Sequence, residues 1–169
     1  MTAIAQTAAV PVAPPQRVER TRFCSRCAVT ADEPEPQNAT YGFDRVCDHC
    51  GMGVMLAVAT KALPGPGAAF VVVTREGRIS AVSEAAEAMV GEKAGVLGMP
   101  ITTVVSSPDG DEQLARALAR AAGGGREVRP VTVTPAARPG GRNARLEARI
   151  ASCGPPRAAL LVLERAALI

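Results

Sequence analysis

From residue 68 onward, the pattern of apolar and polar positions resolves into short elements. Phe70 to Thr74 is an apolar run of strand length, Glu76-Gly77 reads as a turn, and Arg78 to Val82 reads as a second strand. Ser83 is placed to cap a short helix over 84–90 that Gly91 stops. Leu97-Gly98-Met99-Pro100-Ile101 reads as a turn into another short segment. Asp109 or Asp111 is expected to cap a longer helix in which Leu114, Ala117, Leu118 and Ala121 share a face, and Gly123-Gly124-Gly125 ends it. Three strands follow, around 128–134, 145–152 and 158–163. The loops between them are Arg138 to Asn143 and Cys153 to Pro156.

Two of these strands are apolar on both faces. Phe70 and Val72 oppose Val71 and Val73, and Leu160 and Val162 oppose Leu161 and Leu163, so both sheet faces must be covered. The helices of the domain cover one face. The other needs the segment Met52 to Leu63, expected to be a helix, or a second copy of the chain, or both. Arg145, Glu147 and Arg149 alternate with Leu146, Ala148 and Ile150, which predicts one solvated side for that strand. Upstream, Met52, Met55, Leu56, Ala59 and Leu63 recur at helical spacing, which predicts a helix from Met52 to Leu63. Val54 and Val58 make it apolar nearly all round, so it is expected to be buried on more than one side. It is the natural candidate to couple two modules or to build a dimer.

Pro64-Gly65-Pro66-Gly67 is a breaker that no helix or strand crosses. It separates a cysteine-bearing module, residues 23–63, from the larger domain, residues 68–169. Residues 1–22 are rich in Ala, Pro and Val, have no usable period, and read as a flexible tail.

Composition sharpens this division. The chain has 169 residues, five cysteines, one histidine, no tryptophan and only four aromatic side chains. Phe23, Tyr41, Phe43, four of the cysteines and His49 all fall within residues 23–50. The order Cys24-x2-Cys27, nineteen residues, Cys47-x2-Cys50 is the spacing of a four-thiolate zinc site. Each CxxC turn can aim two sulfurs at one ion, and two turns complete a tetrahedron with no open position, which is a structural arrangement. A segment of this size cannot bury enough apolar surface to fold alone, and metal binding supplies what a small core around Phe23, Tyr41 and Phe43 lacks. A pair of disulfides and a redox-active dithiol switch are the competing readings of the same spacing. His49, two residues after Cys47, does not fit the turn geometry and is expected to face solvent or lie beside the ligands. A helix after Cys50 makes the module similar to a treble-clef zinc finger; a zinc ribbon would place a strand there.

The formal net charge is +3. Within residues 23–63, Arg26, Arg45 and Lys61 are outnumbered by Asp32, Glu33, Glu35, Asp44 and Asp48, and four thiolates around Zn²⁺ add more negative charge. Such a module repels phosphate, so nucleic-acid binding is not favoured. The opposing reading, a DNA-associated regulator, would use Arg17, Arg20 and Arg22 with the hairpin arginines Arg126, Arg129, Arg138 and Arg142. No run of 18 apolar residues exists to span a membrane, and the first 16 residues do not read as a signal peptide. A cytoplasmic location is the expectation.

The larger domain resembles the PAS family. "AFVVVTREGRISAVSEAAEAMVGEKAGVLGMPI" is similar to that family's opening strand, turn, second strand, Ser-capped helix and Leu-Gly-x-Pro turn, and "RLEARIASCGPPRAALLVLER" to its last two strands. The resemblance implies an α+β fold: a five-stranded antiparallel sheet with short helices, following the small N-terminal four-cysteine zinc finger. It implies a sensory or dimerisation role without catalytic activity. Haem is not expected, because the domain has no histidine, and neither is covalent flavin, because its one cysteine, Cys153, lies in a Gly-Pro-Pro loop. With no output domain following the last strand, a signal is expected to pass by protein contact, and the chain to act as a homodimer. The ligand of the PAS-like pocket is not specified by the residues.

Overall fold

The computed structural model describes residues 18–31, 45–136 and 145–164. The early tail through Arg17, the residues around Tyr41 and Phe43, and the loop carrying Arg138 and Arg142 lie outside these. Strands β4 (Ala69–Val73) and β5 (Ile79–Val82) form the opening pair, and α1 (Glu84–Val90) follows under its Ser83 cap and ends at Gly91. The short α2 (Lys93–Val96) leads through a Gly98 turn to a 3-10 turn and β6 (Val105–Ser106). The long helix α3 (Asp111–Ala122) precedes β7 (Arg129–Pro135), β8 (Leu146–Gly154) and β9 (Ala158–Glu164). Neither aspartate caps α3: the cap position is Gly110, and the Asp111 carboxylate instead accepts from the Ser107 amide at 3.0 Å.

Three strands come from the cysteine module together with the three residues before it, Arg20 to Arg22, which belong to β1 rather than to a tail; two further expectations are corrected. β1 (Arg20–Cys24) and β2 (Thr30–Ala31) pair antiparallel, and Met52 to Leu63 is not a helix but holds β3 (Met55–Ala59) and a 3-10 turn at Thr60–Ala62. β3 runs antiparallel to β1 from Arg20↔Ala59 to Cys24↔Met55. The physical reason is a partner that local periodicity does not show. β1 lies about thirty residues upstream and satisfies the backbone of β3, while Gly51, at φ +64°, breaks any helix at its start. β3 then joins β8 through Ala57↔Gly154 and Val58↔Cys153. The sheet therefore has nine strands among the described residues rather than five, in the order β2-β1-β3-β8-β9-β4-β5, with β7 also on β8 and β6 on β7. β7 takes one half of an edge of β8, against residues 146–150, and β3 takes the other.

The two-sided apolar strands sort into two cores. Val71, Val73, Leu161, Leu163, Ala148 and Ile150 face the helices, where Leu114 and Leu118 of α3 meet them. Phe70, Val72, Leu160, Val162, Ala151 and Cys153 face the opposite way. There Phe23, Leu56, Val58 and Ala62 of the cysteine module cover them, with the Phe23 and Phe70 rings edge-to-face at 5.6 Å. The second face is thus buried within one chain. β8 shows the change along its length: Glu147 is exposed and Arg149 half-buried, whereas Ala151 and Cys153 on the same face lie under the antiparallel β1–β3 pair, the hairpin of the cysteine module. Arg149 fastens the boundary, its Nε 2.6 Å from the Glu164 carboxylate and its guanidinium donating to the Lys61 carbonyl at 3.1 Å.

Candidate metal centre

Two turns of matching construction bring the four cysteines together. In the first, the Ala28 amide donates back to the Cys24 carbonyl and the Cys24 amide donates to the Val29 carbonyl. In the second, the Gly51 amide donates to the Cys47 carbonyl and the Cys47 amide to the Gly53 carbonyl. The residue after each pair sits in the left-handed region, Ala28 at φ +62° and Gly51 at φ +64°. Ser25 joins the turns: its hydroxyl accepts from the Val54 amide at 2.9 Å, and its own amide donates to the Val54 carbonyl.

The sulfurs of Cys24, Cys27, Cys47 and Cys50 all lie within 4.8 Å of one another. Cys24 and Cys50 are 3.6 Å apart, Cys27 and Cys47 3.8 Å, and none is in a disulfide. A tetrahedral four-thiolate site with metal–sulfur bonds of about 2.3 Å has edges of about 3.8 Å. The spacing fits that group, and the four cysteines could hold one metal ion. Backbone amides complete the cradle, from Arg26 to Cys24 Sγ at 3.4 Å and from Gly53 to Cys50 Sγ at 3.3 Å. A Cβ at Gly53 would lie 2.1 Å from the Cys24 sulfur, so only glycine leaves room for it.

The thiols are electrostatically uneven. Burial pushes Cys24 up to about 12, against opposing amide donation, and burial also raises Cys27. Amide donation from Met52 and Gly53 pulls Cys50 down to about 6 despite some desolvation. Thiolates this close repel one another, and a divalent cation reverses that balance and favours the deprotonated set. His49 is exposed.

The cluster is joined to the rest of the fold by backbone. The Arg26 carbonyl, inside the first turn, accepts from the Glu84 amide at the start of α1 at 3.2 Å. Sequence reasoning missed this contact and the role of Gly53. A glycine three residues beyond the second CxxC was the available signal for Gly53; nothing local announced the Arg26–Glu84 contact.

Two of the arginines considered for nucleic acid already have partners within the fold. Arg20 donates to the Ala57 carbonyl at 2.8 Å, and the Arg129 guanidinium is 3.4 Å from Glu127. No helix among the described residues is long and apolar enough to cross a membrane.

No family model and no curated protein matches the chain. Among solved structures it is similar to the crystal structure of a PAS domain of an HTR-like protein from Haloarcula marismortui. The identity is 16% and the TM-score 0.45, over 57% of this chain and 84% of that one.

Proposed function

We propose that this is a non-enzymatic regulatory protein. Cys24, Cys27, Cys47 and Cys50 hold one structural Zn²⁺, and the hairpin they close is fixed onto a PAS-like sensing or dimerisation module. The observation that carries the reading is the sulfur cluster, whose 3.6 and 3.8 Å separations suit a four-thiolate tetrahedron. Four protein ligands leave no position for water or substrate, which is why the role assigned to the ion is structural. A strand after Cys50 makes the module ribbon-like rather than treble-clef-like. The PAS-like reading of the second part rests on its own order of elements, two strands, short helices, a longer helix and three strands.

Signalling by protein contact, including a second copy of the chain, is supported by the surface around the cysteine turns. Val29, Val46, Met52 and Val54 are all exposed there, an apolar surface suited to a protein partner. Zinc analysis of purified protein tests the reading. One zinc per chain, lost in a Cys24→Ser/Cys47→Ser variant, is the expected result; a metal-free, folded protein would overturn it. Solution mass tests dimerisation separately, and a monomer at all concentrations would reject that part.

A further inference from the structure

A cleft of about 590 Å³ opens where the hairpin meets the far end of the sheet. It lies at the end of the β1–β3 ladder opposite the sulfurs, since Arg20 pairs with Ala59 there and Cys24 with Met55 at the other end. It is also separate from the apolar core between helices and sheet. Three parts of the fold build its walls: the hairpin end, the segment leaving α3, and the turn between β8 and β9.

Each part contributes one arginine: Arg20, Arg126 and Arg157. Among the described residues the one acidic residue in the lining, Glu127, is 3.4 Å from the Arg129 guanidinium. Arg20 is oriented by its hydrogen bond to the Ala57 carbonyl. Arg126 and Arg157 make no hydrogen bond or ion pair among the described residues. Gly124, at φ +98°, lets the chain pass flat beside Arg157, whose guanidinium is 3.8 Å from where a Cβ would stand. The half-buried Ser152 also lines the cleft and supplies a hydroxyl. Converging guanidinium groups in a concavity raise the local positive potential and match the paired oxygens of carboxylates and phosphates. The volume is that of a small-molecule site.

We infer that this cleft binds a small multivalent oxyanion, a metabolite bearing carboxylate or phosphate groups, through Arg20, Arg126 and Arg157. The bound anion ties the hairpin end to the α3 exit and the β8–β9 turn, so its occupancy strengthens the docking of the cysteine module. The inference does not depend on the metal.

Amide NMR of the full-length chain, titrated with succinate and separately with inorganic phosphate, tests it, with chloride at equal ionic strength as the control. The expected result is saturable shifts centred on Gly124, Gly125, Arg126, Ser152 and Arg157. Binding weakens about tenfold or more in Arg126→Ala/Arg157→Ala, whose remaining spectrum is unchanged. The tighter of the two acids identifies the group recognised. An Arg75→Ala variant, on a turn outside the cleft, binds as the parent does. Shifts equalled by chloride, undiminished in the double variant, or absent with both acids overturn the inference. Preferential binding of a short DNA duplex at the same residues overturns it too, by assigning the cleft to a nucleic-acid backbone.

Discussion

At the scale of single residues, the fold depends on a few side chains, and one missing side chain, whose surroundings allow no substitute. Gly53 is the missing one: Gly53→Ala places a methyl 2.1 Å from the Cys24 sulfur, with the Arg26 amide nitrogen 3.2 Å away. The variant should lose metal on dialysis while the parent retains it; equal retention would remove Gly53 from the site. Ser83 is the opposite case, a buried hydroxyl with every bond used. It accepts from the Phe70 and Ala86 amides and donates to the Ala68 carbonyl, linking the start of β4 to the cap of α1. Ser83→Ala should cost about 1–3 kcal/mol in denaturant unfolding. A negligible change would show that these bonds are replaceable. Cys153 is buried, and burial pushes its thiol up to about 12. At neutral pH it should resist maleimide in the native chain and react once guanidinium unfolds it. Labelling at the rate of a free thiol would contradict its place in the second core.

Among the elements, legibility in the sequence follows the range of the interaction. Strands β4, β5, β8 and β9, helix α1 and the body of α3 declare themselves through short apolar runs, the alternation at the start of β8, a Ser cap and terminal glycines. The apolar run on both faces of β4 and β9 also announced that a second layer must exist. What local pattern could not reveal was that β3 is a strand. Its partner β1 is distant in sequence, and the spacing of Met55, Leu56 and Ala59 satisfies a helix as well as it satisfies one strand among others. The cluster of cysteines was legible because CxxC is a local signature, whereas the Arg26–Glu84 bond joining it to α1 was not. If metal fixes the hairpin, chelation should raise hydrogen exchange in β1 and β3 while β4, β8 and β9 remain protected. Unchanged protection of β1 and β3 would mean that packing alone holds them. Phe23→Ala removes the ring that meets Phe70 and should destabilise the chain by about 3–5 kcal/mol in the same denaturant assay. A loss below about 1 kcal/mol would mean that the second core closes without it.

For the whole molecule, the consequence is one continuous sheet with a core on each side. The four cysteines close the hairpin that covers the second face, and the poverty of aromatic residues explains the need. Among the described residues Phe23 and Phe70 supply the one aromatic pair of that core, and small residues such as Ala28, Ala62, Ala151 and Ala158 fill much of the rest. A metal ion is the economical way to hold so thin a layer in place. Native mass spectrometry of freshly purified full-length protein addresses this most directly, since one spectrum reports both metal content and cysteine oxidation. The account predicts one zinc per chain with all five cysteines reduced. A metal-free chain, its mass lowered by the hydrogens lost in forming two disulfides, would contradict it.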